Sequence, residues 1–312
     1  MQSPVINDVK IVIAVNKNDL WFCRICIASI RYYYPAIEIF LLKDELNGKF
    51  STRELEKYYK VKLLQYNISK FGWSAAKMHF YTDQQFNGQQ FLVLDADIVF
   101  IGKILNRDFV KSFANDVFIN EENVTNPNSE WFTNTYFDYS KVKDFDPSYD
   151  FQNYTFNGGQ LFCKGGFLNK EILEPFFDFE KYPAWKRLDI FPLVDQSLFN
   201  YLLPVMAKNG KLNIGREKYM LWFGSAEVKD LKLKEILTGD KYPFLIHWAG
   251  GLRTPMINKM VRSDILTFFE EQYYQQIKFG KYISKLRKVK PISILYSRQF
   301  IKKLISKFKF LK

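Results

Sequence analysis

The chain has 312 residues, 47% of them hydrophobic and 18% aromatic, enough apolar surface for a large core; a disordered or fibrous polypeptide is excluded. Its formal charge of +12 would suggest a nucleic-acid binder if evenly spread, but Lys278 to Lys312 hold 12 of the 45 basic residues and no acid. The remainder has 33 residues of each sign, so no nucleic-acid partner is expected.

Three cysteines, Cys23, Cys26 and Cys163, exclude a disulfide framework and a structural zinc site, and fit a reducing compartment. No basic, apolar leader precedes Lys10, and no run reaches the ~18 apolar residues of a spanning helix. The expectation is a cytoplasmic protein, soluble or peripheral on a membrane.

Residues 9–15 (VKIVIAV) read as a strand buried on both faces, followed by a polar turn, 16–19, and a helix over 20–34 stopped by Pro35. Strand, polar turn and helix make half of a nucleotide-binding crossover. Cys23-x-x-Cys26 faintly suggests a redox pair, but Leu20, Ile27 and Ile30 mark a packed helix, so buried, inert thiols are expected. Further strands are expected over 37–42 and 61–64, with a charged helix over 51–59. A helix over 74–85 carries Lys77 and His79, the histidine as a surface or core residue.

The stretch 91–101 (FLVLDADIVFI) is the expected centre of the sheet. In an extended chain residues i and i+2 point the same way, so Asp95 and Asp97 converge while Ala96 faces away. Two carboxylates at the carboxyl edge of an open α/β sheet suit a divalent cation held against phosphate oxygens. Spacing alone is weak evidence: Asp144 and Asp146 repeat it in a polar, aromatic loop where no chemistry is expected.

A helix over 104–113 and a strand over 117–120 lead into a long polar segment, 121–155, expected to lack regular structure and, at that length, to be functional. Its aromatics either floor a sugar site or anchor the loop. Residues 156–164 (FNGGQLFCK) set Asn157, Gly158 and Gly159 before a strand, for a close backbone approach or a tight turn. A helix over 193–203 bears Asp195 and Gln196 in its first turn, where acids also serve as caps. Residues 244–256 (FLIHWAGGLRTPM) give a strand ending at His247, then Gly250, Gly251 and Arg253, a plausible metal-plus-phosphate edge.

Taken in order, the initial strand and turn, the DAD element, FNGG, the DQ helix and HWAG resemble the family 8 glycosyltransferases of the GT-A fold. That resemblance implies an α/β fold with a mixed, mainly parallel, Rossmann-like sheet flanked by helices. The match runs from about Val9 to Pro255, within an expected catalytic domain over 1–277 that a basic amphipathic helical tail over 278–312 follows. It implies that Asp95, Asp97 and His247 bind Mn2+ or Mg2+, and that the donor, a nucleotide sugar of the UDP type, contacts Val15, Asn16, Asn18, Lys77, Asp95, Ala96, Asn157, Gly158, Gly250 and Arg253. Asp195 and Gln196 fall where the family holds the donor sugar for catalysis. Thr254 and Met256 depart from the family's usual residues after the phosphate-binding base, and Asn16 and Lys17 stand where acids are usual. Inverting relatives generally carry a Glu-Asp segment, which this chain lacks, so retention of configuration is expected.

Two other classes compete. A sugar-phosphate nucleotidyltransferase would need a glycine-rich, basic loop after the first strand, and the turn here is Asn-Lys-Asn-Asp. A non-catalytic nucleic-acid- or membrane-binding protein acting through the tail leaves the neutral body and its acidic motif unexplained. The tail itself is expected to anchor the enzyme to an anionic membrane surface near a saccharide or lipid-linked glycan acceptor. From Pro291 onward Ile294, Ile301, Leu304, Ile305, Phe308 and Leu311 fall on one stripe flanked by lysines.

Overall fold

The computed structural model describes residues 9–72, 74–122, 126–250 and 257–289. Its strands, among the described residues, are β1 Val9–Asn16, β2 Ile39–Asp44, β3 Lys62–Leu64, β4 Gln90–Asp95, β5 Ile98–Phe100, β6 Val117–Glu122, β7 Thr155–Phe156, β8 Gln160–Lys164, β9 Ile214–Glu217, β10 Met220–Trp222 and β11 Leu245–His247. The main sheet has the order β3-β2-β1-β4-β8-β6-β7, with β9 paired to β6. Strands β3, β2, β1 and β4 run parallel; β8 is antiparallel to β4, and β6, antiparallel to β8, returns to the direction of the first four. A second sheet, β10-β11-β5, stands beside it. The expected α/β class with a mixed, mainly parallel sheet is what forms.

Alternation explains the layering. In β1, Ile11, Ile13 and Val15 enter one apolar cluster while Val12 enters the other; in β4, Leu92 and Leu94 oppose Phe91 and Val93. Helices Leu20–Tyr33 and Ser263–Gln275 cover the first face, and Ala75–Tyr81 and Val194–Lys208 the second. Both faces are therefore dry, and polar side chains collect at the strand ends. After β3 the chain crosses to the far side of β1 and enters β4, so the strand order reverses between β1 and β4. Such a switch point opens a crevice at the carboxyl ends of its strands.

The structure corrects several expectations. The apolar stretch 91–101 is two strands: β4 stops at Asp95, Ala96 and Asp97 turn, and β5 departs to pair antiparallel with β11. The helix expected over 74–85 ends at Tyr81, before a tighter turn at Gln84–Phe86. The segment 121–155 contains helices Glu130–Thr135 and Tyr139–Phe145, capped by the side chains of Ser129 and Asp138. Most of its aromatics anchor it: Phe132, Tyr136, Phe137 and Tyr149 are buried, whereas Trp131 is exposed. Asp146 accepts hydrogen bonds from Ser148 and Tyr201, a structural role, as expected.

Cys23, Cys26 and Cys163 are buried, and burial pushes the Cys23 thiol up to about 12. His79 packs among Tyr66, Phe71, Phe177 and Phe179, and burial lowers it to about 4, so it is the bland histidine the sequence suggested.

Residues 281–289 are helical and tied to the body through Glu54. That carboxylate accepts from Arg287 at 2.6 and 2.8 Å, from the Tyr273 hydroxyl at 2.6 Å and from Arg24 at 3.3 Å. Burial disfavours its charge, but these partners outweigh burial and bring it down to about 2. A carboxyl lowered on folding stabilises above its unfolded value and ceases to as pH falls through the folded one. Glu54→Gln should therefore cost about 1–2 kcal/mol near neutral pH. In denaturant titrations the difference from wild type should begin to shrink below pH 4.5 and vanish near 2. A difference independent of pH would refute the assignment.

Candidate metal centre and nucleotide-sugar cleft

Three chain segments meet at the switch point. Strand β1 ends at Asn16, whose Oδ1 accepts from the backbone N–H groups of Asn18 at 2.7 Å and Asp19 at 3.3 Å, turning the chain into the first helix. Parallel pairing sets Asp95, the last residue of β4, beside Ala14. His247 ends β11 opposite Ile98, the first residue of β5, and the Trp248 N–H donates to the Asp97 carbonyl at 3.0 Å. The second sheet thus closes a separation of 150 positions. One ligand atom each from Asp95, Asp97 and His247 lies within 4.8 Å of the others. The aspartates converge through a turn and this pairing, not through strand alternation.

Hydrogen bonding fixes the histidine ring. The Gly159 N–H donates to Asn157 at 2.9 Å, so the receiving atom must be the carbonyl Oδ1. The same Oδ1 lies 2.9 Å from His247 Nδ1, which must therefore carry the proton. In the neutral ring Nε2 then presents a lone pair toward Asp97 Oδ1 at 3.1 Å. With that ring neutral two acceptors face each other, an arrangement that either a proton or a metal cation between them relieves. The residues fit a divalent metal: two carboxylates and one imidazole oriented from behind by an amide. Trp222 stacks on the ring at 5.5 Å and 14°. A side chain at position 159 is excluded, because its Cβ would lie 2.4 Å from His247 Cε1 and 2.7 Å from Asn157 Oδ1.

Lys77 supports the acids from below. Its side chain is 1% exposed, and Nζ lies 2.7 Å from Asp195, 3.0 Å from Asp95 and 2.8 Å from the Gly158 carbonyl. Burial alone would lower this ammonium, but Asp195 and Asp95 raise it, so it stays charged. The sequence expectation set it against the donor; its three protons are instead spent on the protein. Asp95, Asp97 and Asp195 against Lys77 leave negative charge in excess, as a divalent cation would require. Burial raises the Asp95 carboxyl, Lys77 opposes the rise, and the Asp97 and Asp195 charges add to it.

Asp195 and Gln196 open the helix Val194–Lys208, entered through Val194 at φ 47°. A β-branched residue there is strained, of the order of 1–3 kcal/mol, a condition found at functional sites. Gln196 Oε1 accepts from Asn157 Nδ2 at 2.8 Å, and its Nε2 donates to the Thr135 carbonyl at 2.8 Å.

Above these groups lies a cleft of about 620 Å³, lined by Val15, Asn16, Asp95, Ala96, Asp97, Asn157, Gly158, Asp195, Gln196, His247 and Gly250 among the expected residues. Asn18 is exposed on the turn and does not line it; Arg253, Thr254 and Met256 lie outside the described residues. The sequence reading missed Asp19, Asp44, Leu46, Asn47, Gly72, Ser74 and Leu193. Asp44 ends β2 much as Asp95 ends β4, so the carboxyl-edge rule would have found it. It accepts from the backbone of Leu46, Phe71 and Gly72, shaping the cleft wall.

No protein-family description matches the chain, and no curated protein matches its sequence. Among solved structures it is similar to WbbM, a bifunctional glycosyltransferase, with 14% identity over 88% of this chain and 53% of that one and a TM-score of 0.49. It is also similar to the galactosyltransferase LgtC in complex with donor and acceptor sugar analogues, with 12% identity, 86% and 96% coverage and a TM-score of 0.45. The glycosyltransferase GlyE of Streptococcus pneumoniae TIGR4 gives 14% identity, 89% and 62% coverage and a TM-score of 0.43. The chain thus spans about half of WbbM. All three are glycosyltransferases, the class the motif order resembles; what the chain does is argued from its own residues.

The tautomer argument is testable because the chain has 2 histidines. In 15N-histidine spectra, His247 should show the Nδ1–H tautomer in wild type and in Asn157→Asp, and lose it in Asn157→Leu. Mn2+ affinity of the leucine variant should fall about 10- to 100-fold. Unchanged affinity would mean Asn157 does not orient the ring.

Proposed function

We propose that this chain is a divalent-metal-dependent glycosyltransferase. It moves a sugar from a nucleotide sugar, UDP-linked, to a saccharide or lipid-linked glycan, with retention of configuration, in building cell-surface polysaccharide or lipopolysaccharide. The observation that carries this is the convergence of Asp95, Asp97 and His247, with one ligand atom each within 4.8 Å of the others, at the switch-point cleft.

Asp95, Asp97 and His247 would hold Mn2+ or Mg2+, and such an ion supplies Lewis-acid neutralisation of a departing diphosphate. Val15, Asn16 and Asp19 form the wall for the nucleoside. Lys77 holds the Asp95 and Asp195 carboxylates in place through its ion pairs, so neither moves when charge develops on the leaving group. Asp195 and Gln196 meet the sugar; the glutamine amide, held by Asn157 and Thr135, presents a fixed dipole at the cleft wall. The bond from anomeric carbon to phosphate oxygen breaks and a bond to the acceptor oxygen forms. The acceptor's proton passes to the departing diphosphate, which removes the need for a strong base. Asp97→Asn should abolish Mn2+-dependent hydrolysis of the donor, found by screening a nucleotide-sugar panel for a rise in melting temperature. Full activity of that variant in Mn2+ would sink the site.

The basic tail would bring the enzyme to the cytoplasmic face of a membrane. Among the described residues no helix is long and apolar enough to cross one. Phe279, Tyr282, Leu286 and Val289 are exposed at 61–72% and recur every three or four positions beside lysines, which suits the headgroup plane. A chain cut after Phe279 removes Tyr282, Leu286, Val289 and their lysines and should lose most of its co-sedimentation with anionic vesicles. Equal sedimentation of cut and full-length chains would remove the anchor from the tail.

A further inference from the structure

We infer that Trp222 and Trp131 form an aromatic platform that receives the pyranose faces of the saccharide acceptor beside the metal centre. This rests on the glycosyltransferase proposal and assigns its acceptor side. Trp131 is 56% and Trp222 36% exposed, although each is held by buried partners. The Trp222 indole N–H donates to Glu122 Oε1 at 2.9 Å, and the Tyr136 hydroxyl donates to Glu122 Oε2 at 2.5 Å. Tyr136 is fully buried, and the Trp131 ring meets its ring edge-on at 5.8 Å and 79°. Glu122 thus holds Trp222 directly and, through the Tyr136 hydroxyl, the ring against which Trp131 packs.

Both ends of this arrangement touch the site. Trp222 covers one face of His247, and the helix Glu130–Thr135 that bears Trp131 receives the Gln196 amide on the Thr135 carbonyl. Ser197, next along, donates to the Tyr136 carbonyl. The platform is therefore continuous with Gln196, where the sugar would meet its acceptor, and with the metal ligand.

Two exposed indoles, each packed against a residue tied to a polar cleft, suit one chemistry well. A pyranose ring has a face of C–H groups and a rim of hydroxyls, so it can bury the face against an indole while its hydroxyls remain in water. Both oxygens of Glu122 are occupied, so its work is to hold the rings, and it is a positioning residue. If Trp222 served only to shield His247, nothing would require an exposed Trp131 packed on Tyr136, the other ring that Glu122 holds.

The full-length chain carries 6 tryptophans, and 5-fluorotryptophan labelling gives each its own 19F resonance. Trp131→Phe and Trp222→Phe assign the two that matter. Lactose, cellobiose and maltose serve as probes, with and without MnCl2. The expected result is that at least one disaccharide moves both assigned resonances and leaves the other four in place. Trp131→Ala should then raise the acceptor KM about tenfold, with little change in kcat. Failure of all three disaccharides to move either resonance would overturn the platform, as would an unchanged KM in Trp131→Ala. Movement of both resonances in a protein without transferase activity would uphold the platform and remove the catalytic proposal instead.

Discussion

Removing the buried Lys77 ammonium would leave Asp95 and Asp195 without their shared cation, at a cost of about 3–5 kcal/mol. That constraint ties together three distant parts of the chain: the helix Ala75–Tyr81 that carries the lysine, the end of β4, and the first turn of Val194–Lys208. Each apolar element is placed so that its one polar residue meets the others. The dry faces of the sheet leave such residues nowhere to go except the strand ends.

Around that charged centre the polar side chains satisfy one another in a fixed order. Gly159 donates to Asn157, Asn157 donates to Gln196, and Gln196 donates to Thr135. Because each amide is committed at both of its ends, neither can flip without leaving a donor against a donor. The imidazole inherits its tautomer from this series. The three candidate ligands are thus oriented in advance by groups that lie behind them.

How much of this could be read from the sequence follows from the range of each interaction. The runs VKIVIAV and FLVL announce strands buried on both faces by composition alone, and Asp95 and His247 announce themselves as polar residues closing apolar runs. The break of FLVLDADIVFI into β4 and β5 was hidden, because what draws β5 away is its pairing with β11, far along the chain. Lys77 looked like a ligand-binding base because nothing local reveals that Asp195 and Asp95 will surround it. The short helices of 121–155 were missed because each is about two turns long, too short for a periodic apolar stripe, and is held by buried aromatics instead. Asp44 was overlooked because attention fell on paired acids, whereas a single acid at a strand end is as well placed.

The pairing of β5 with β11 bears also on how the molecule comes into being. Asp97 leaves the ribosome 150 residues before His247, so the metal centre stays incomplete until nearly all of the sheet has been synthesised and docked. Contacts of such high sequence separation form late, after their loop-closure entropy has been offset by the rest of the core. A nascent or partly folded chain therefore carries only the two aspartates, and the three-residue group exists only in the finished protein.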